Sequence, residues 1–196
     1  IGSIAINLLA PNRLLRYVCS VVTLCGLTIL CLHQGSYNDM TFTTVWWTSL
    51  WSLWYVHHLR DADRAGMLRR AAFLSRLIIA LILLGGAVGK WTAEYWSGEV
   101  FYDIYFRDRD FWVFNLLRSN FEPEVLREIA TWYSRKVIVI ETGAGLGLWL
   151  LPPRWAAGIG TVLLASIALF SNFLLFSVLS CLIGLAAVGF FVKRET

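Results

Sequence analysis

Apolar residues run along the chain in six blocks, at about residues 14–32, 43–59, 74–90, 136–151, 155–171 and 173–192, each parted from the next by polar or charged positions. At about 1.5 Å of rise per residue, roughly 17 to 20 such residues cross a hydrocarbon layer about 30 Å thick. The pattern therefore predicts six transmembrane helices. The second block, TFTTVWWTSLWSLWYVHH, is dotted with Ser, Thr and Trp, which suits a helix packed on neighbours better than one bathed in lipid.

One interval is far longer than a turn. Residues 91–135 mix eight acidic residues with many aromatics and must carry structure of their own. In FEPEVLREIATWY, Pro123 suits the first turn of a helix, and Glu122 and Glu124 suit its positive end. Val125, Ile129 and Trp132 fall on one face, flanked by Leu126 and Tyr133. The expectation is a short amphipathic helix on the outer surface, preceded by another around residues 110–119. Phe111, Trp112, Ile129 and Trp132 are its candidate lid or partner-facing residues.

Composition strengthens the membrane reading. The chain has 196 residues, 58% of them hydrophobic and 15% charged, with a mean hydropathy of +0.63. A soluble domain of this size cannot hide so much apolar surface in one core. Ten Trp residues favour membrane–water interfaces. The net charge of +4 is modest and lacks a Lys/Arg run, so nucleic acid is not an expected partner.

Charge also sets orientation. Arg13 and Arg16, then Arg60, Arg64, Arg69, Arg70 and Arg76, then Arg154, and finally Lys193 and Arg194 alternate with an Arg-free loop, HQGSYNDMTF, and an Arg-free turn near Ser171–Asn172. By the positive-inside rule both termini face the cytoplasm and residues 91–135 lie outside, in a membrane of bacterial inner-membrane type. The expected organisation is two N-terminal helices with an Arg-rich loop, residues 1–73, followed by a four-helix bundle, residues 74–196.

Two charges interrupt this apolar pattern. Lys90 closes the third block and Glu141 lies inside the fourth, at the same expected depth. An intramembrane carboxylate is costly unless paired, so Lys90 is its first candidate partner, with Arg135 and Lys136 as others. The two read as a structural fastening or as a polar site for a ligand headgroup, the remaining alternative being a protonated, lipid-facing Glu141. Gly85 with Gly89, and Gly143 with Gly147, have the G-x-x-x-G spacing that lets helices approach in lipid.

Other chemistry finds little foothold. Cys19, Cys25, Cys31 and Cys181 lie in apolar segments without a C-x-x-C pair, which argues against thiol exchange. His57 and His58 fall at one membrane face and His33 at the other, so they do not form a bis-His haem site, and no metal cluster is expected. P-loop, Rossmann, G-x-S-x-G and H-E-x-x-H motifs are absent from the sequence. No catalytic activity of the chain alone and no resident cofactor are expected. A quinone or a lipid is the ligand class the sequence admits, and membrane lipid and other integral membrane subunits are the expected partners.

Arg76 followed by LIIALILLGGAVGK, ending at Lys90, resembles the opening helix of DoxX-like membrane proteins. ETGAGLGLWLLPPRWAAG, beginning at Glu141, is similar to that family's second helix and turn. The likeness covers residues 74–192 and extends to a broad group that includes the small subunit of thiosulfate:quinone oxidoreductase and the HTTM proteins. It implies an all-α, four-helix membrane bundle associated with quinone, thiol or other redox systems. The missing paired cysteines and the long 91–135 segment depart from that pattern. Taken together, the sequence points to an accessory or scaffold subunit of a redox-associated membrane complex, with a quinone-binding oxidoreductase component as the alternative.

Overall fold

The computed structural model describes residues 12–34, 40–58, 63–170 and 176–192. The expected turn at Ser171–Asn172, Arg60, Lys193 and Arg194 lie outside the described residues, as do the side chains of Cys31 and His33. The described chain is all helical, with no strand. In order come α1 (Arg13–Gln34), α2 (Met40–His58), α3 (Arg64–Lys90), α4 (Ala93–Ser97), α5 (Glu99–Phe101), a π-helical turn (Tyr102–Arg107), α6 (Trp112–Asn120), α7 (Pro123–Leu150), α8 (Pro153–Phe170), α9 (Phe176–Ala187) and a 3-10 turn (Val188–Phe191).

The helix starts follow local chemistry. Asn12 caps α1, its Oδ1 accepting from Leu14 N at 3.0 Å. Asp63 accepts from Gly66 N at 2.7 Å at the head of α3, and Thr92 accepts from Tyr95 N at 3.3 Å at the head of α4. Each side-chain oxygen satisfies an amide that has no partner inside its helix. Pro123 and Pro153 open α7 and α8, where the missing amide costs nothing.

One expected boundary is corrected. FEPEVLREIATWY is not a separate surface helix: from Pro123 on it is the first part of the 28-residue α7, continuous with the fourth apolar block. No Gly or Pro lies between Pro123 and Gly143, so nothing stops the helix at the Ser134–Arg135–Lys136 charge cluster. The expected helix around residues 110–119 does form, as α6.

Arg64–Lys90 is the one described helix both long and apolar enough to cross a bilayer, and Pro153–Leu169 and Leu179–Phe191 are shorter apolar helices. The expected boundary at residue 73 falls inside the first of two compact units. That unit consists of the described residues up to Ile82 together with those from Leu148 onward, and the other is Leu83–Gly147.

In the first unit, α1 packs on α2, α2 on α9, and α8 on α9. Three arginines each donate to a carbonyl at the end of another helix. Arg13 Nη2 reaches His57 O at 2.7 Å, Arg76 Nη1 reaches Leu151 O at 2.6 Å, and Arg154 Nε reaches Val192 O at 3.1 Å. A cation there meets both an unpaired carbonyl and the negative end of the helix dipole. The Arg13 and Arg154 contacts join the start of one helix to the end of another, whereas Arg76 reaches out from the middle of α3. Hydroxyls inside the apolar helices bond back to their own turns, as in Thr23 to Cys19 O, Ser75 to Ala71 O and Ser166 to Val162 O.

Candidate functional site

Lys90 and Glu141 meet within the unit Leu83–Gly147. Lys90 Nζ donates to Glu141 Oε1 at 2.7 Å and to Oε2 at 2.5 Å, so a single ammonium sits between both carboxylate oxygens. The side chains are 25% and 11% exposed, respectively, so the pair is shielded on the carboxylate side and open on the ammonium side. An ammonium has three N–H donors, and two of them point at Glu141. The third is open to another acceptor.

The pair's neighbours follow from helical geometry. Gly86, one turn before Lys90, stands beside it: a Cβ there would lie 3.7 Å from Glu141 Oε2 and 3.9 Å from Lys90 Nζ. Thr142 donates back to Ile138 O at 2.7 Å while accepting from Trp91 Nε1 at 3.2 Å. Trp91 in turn stacks on Trp96, with centroids 5.4 Å apart.

The glycine expectation needs correction. A Cβ at Gly85, Gly89 or Gly143 would meet nothing within 4 Å, so these residues do not mediate the helix approach. Gly147 is half-buried. The glycines on the paired face are Gly86 and the buried Gly145, four residues from Lys90 and Glu141 respectively. The G-x-x-x-G spacings sit one or two positions round each helix from that face.

Arg135 and Lys136, the other candidate partners for Glu141, are engaged elsewhere. Arg135 lies over the Trp96 ring at 5.6 Å and its Nε donates to Trp96 O at 3.0 Å. Lys136 Nζ sits 3.3 Å from the Trp132 ring centroid. Each is a cation–π contact of the kind favoured where one side of a ring is wet.

The aromatic segment makes its own core. Phe101, Phe106, Phe111, Phe114, Leu126 and Ala130 are buried together, with Tyr102, Tyr105, Ile129 and Tyr133 packed against them. Phe111 is therefore a core residue rather than a partner-facing one, and Ile129 is half-buried. Trp112 and Trp132 are exposed, at 67% and 61%. The inward face of α7 is centred on Leu126, Ala130 and Tyr133, not on Val125, Ile129 and Trp132. Arg118 holds the loop before α6 by donating to Phe106 O at 3.1 Å and Arg109 O at 2.9 Å.

The junction of α4 and α5 is pressed onto α7. Thr131 Oγ1 donates to Ser97 O at 2.6 Å, and Ser134 Oγ to Tyr95 O at 2.5 Å. With Arg135 on Trp96 O, three successive carbonyls at the end of α4 are capped by α7. Gly98 turns the chain there at φ +86°. Burial, followed by the charges of Tyr105 and Glu141, pushes the Tyr95 phenol above its ordinary pKa, and burial and Tyr105 do the same to Tyr133.

No family model, curated protein or solved structure matches this chain. Among the described residues no group of His, Cys, Asp and Glu is placed to hold a metal ion, and Cys19, Cys25 and Cys181 are free thiols. His57 is part of the α1–α2 contact: the Tyr17 hydroxyl lies 2.5 Å from its Nδ1. Sequence reasoning missed Gly86, Gly98, Thr131 and Ser134. For Gly86, Thr131 and Ser134 the signal is a glycine or hydroxyl one turn from a polar residue of the same helix, and for Gly98 a glycine between two short helices; each is readable only once the facing helix is known.

Proposed function

We propose that the protein is an accessory or scaffold subunit of a membrane complex, crossing the bilayer six times with both termini cytoplasmic and residues 91–135 outside. The apolar surface left on α1 carries this reading. Leu14, Val18, Val22, Ile29 and Leu32 are all at least half exposed, Leu14 at 69% and Ile29 at 65%. Such a helix is stable against lipid or another membrane helix, and unfavourable against water. Arg13 and Arg154, each at the head of one helix and bonded to the last carbonyls of another, support the orientation, since both place a cation where helices begin and end together. The cation–π contacts at Trp96 and Trp132 suit the outer interface.

Within this proposal the Lys90–Glu141 pair fastens the third and fourth crossings, and exposed Trp112 and Trp132 face a partner. The DoxX-like resemblance gives the complex its redox association. A second reading rests on the open third donor of Lys90: a quinone carbonyl can accept it, making the pair a headgroup site. Purification in mild detergent with mass spectrometry of everything retained tests both. Comigration with other integral membrane subunits supports the first reading. A quinone retained by the isolated chain, and lost in Lys90→Met, supports the second. An isolated chain with neither overturns both.

A further inference from the structure

The unit Leu83–Gly147 carries an open groove of about 350 Å³ lined by Gly98, Glu99, Tyr102, Asp103, Arg127 and Thr131, with Glu99, Asp103 and Arg127 exposed along it. That volume lies at the lower end of small-molecule sites, which run from about 300 to 1,000 Å³. The walls carry both signs of charge. Glu99 and Asp103 are four residues apart on α5 and the π turn, and Arg127 faces them from α7. The Arg127 guanidinium lies over the Tyr102 ring, 5.3 Å from its centroid, and makes no ion pair with Glu99 or Asp103. Among the described residues the Asp103 carboxylate pairs with Arg107, at a long 3.5 Å with both side chains well exposed, a contact worth little. Opposite charges thus line one groove without neutralising each other, with an aromatic ring under Arg127.

The floor is rigid. Gly98 and Thr131 are in backbone contact, and the Thr131 hydroxyl is held by Ser97 O and Arg127 O. The charged groups therefore project from elements locked together rather than from a loose loop.

We infer that this groove binds a zwitterion bearing an ammonium and a phosphate a few atoms apart, the chemistry of a phosphoethanolamine headgroup. Glu99 and Asp103 take the ammonium. Arg127 takes the phosphate as a charge-assisted, two-pronged donor. Thr131 is one turn before the Arg135–Lys136 pair on the Trp rings, so under the proposed topology the groove sits at headgroup depth. That placement alone rests on the topology; binding of the soluble headgroup does not.

The test is calorimetric titration of the detergent-purified full chain with phosphoethanolamine, with ethanolamine and inorganic phosphate as separate half-ligands. The whole zwitterion should bind at least about tenfold tighter than either half. Arg127→Gln and Glu99→Gln should each weaken it about tenfold, as expected for losing one charged partner. Both substitutions are at exposed positions, and an unchanged melting curve verifies folding. Undetectable binding, equal affinity for a half-ligand, or wild-type affinity in both variants would overturn the inference. In nanodiscs, loss of phosphoethanolamine binding with phosphatidylethanolamine but not with phosphatidylglycerol identifies the lipid as the source. Equal binding in both identifies a free solute.

Discussion

Replacing Gly98 with Ala tests how the unit Leu83–Gly147 is held together. At φ +86° an L residue is strained by about 1–2 kcal/mol. The added Cβ would also stand 2.5 Å from the backbone Thr131 N and 2.8 Å from the side-chain Thr131 Oγ1, closer than Cβ atoms come to such neighbours. The α4–α5 junction must then lift from α7, releasing the Thr131–Ser97 and Ser134–Tyr95 hydrogen bonds at about 0.5–1.5 kcal/mol each. Strain and lost bonds together come to roughly 2–5 kcal/mol, less about 0.4–1 kcal/mol recovered from a stiffer unfolded chain. Limited proteolysis and thermal melting in detergent should show residues 91–122 opening well before the wild type. Gly98→Asn separates the causes, since Asn tolerates positive φ but brings the same Cβ. The close approach predicts that Asn is nearly as damaging as Ala. A Gly98→Ala protein within about 0.5 kcal/mol of wild type would refute the reasoning, for it would mean the junction does not touch Thr131.

Glu141→Gln and Lys90→Met should each lower folded yield, because stranding one member of a shielded pair commonly costs about 3–5 kcal/mol; the double mutant should recover part of the loss, and purely additive losses would show that the two do not interact. Leu126→Asp places an unpaired carboxylate in the aromatic core and should expose the segment to protease at a cost of several kcal/mol, while Val125→Asp on the exposed side of α7 should not. Tyr95 and Tyr133 hold their phenol protons more tightly when folded, so their contribution is fully present below the ordinary phenol pKa of about 10 and is lost as pH rises through the higher folded values. Melting temperature should fall in step with tyrosinate absorbance at alkaline pH, and Tyr95→Phe should shrink that dependence; an unchanged profile would contradict the burial argument.

The meeting of Lys90 with Glu141 was readable from the sequence because a charge inside an apolar block has few ways to be tolerated. The starts of α7 and α8 were readable from Pro123 and Pro153. The continuity of α7 was not, because Ser134–Arg135–Lys136 looks like a water-facing boundary when read alone. In the fold its two cations lie over Trp96 and Trp132, and Ser134 caps Tyr95. The glycine spacings misled for a geometric reason: Lys90 looks back one turn to Gly86, whereas the eye-catching pair is Gly85 and Gly89. Phe111 and Trp112 show the same limit. Adjacent aromatics point to opposite sides of an extended-to-helix junction, and only the position of α7 decides which one is buried.

The membrane arrangement itself is tested most directly by labelling introduced cysteines in cells. With Cys19, Cys25, Cys31 and Cys181 replaced by Ser, Ser119→Cys on α6 and Ala65→Cys at the head of α3 are each exposed to a membrane-impermeant maleimide. The account predicts that Ser119→Cys reacts in intact cells and that Ala65→Cys reacts only after permeabilisation. Labelling of Ala65→Cys from outside, or protection of both sites until the membrane is opened, would contradict it.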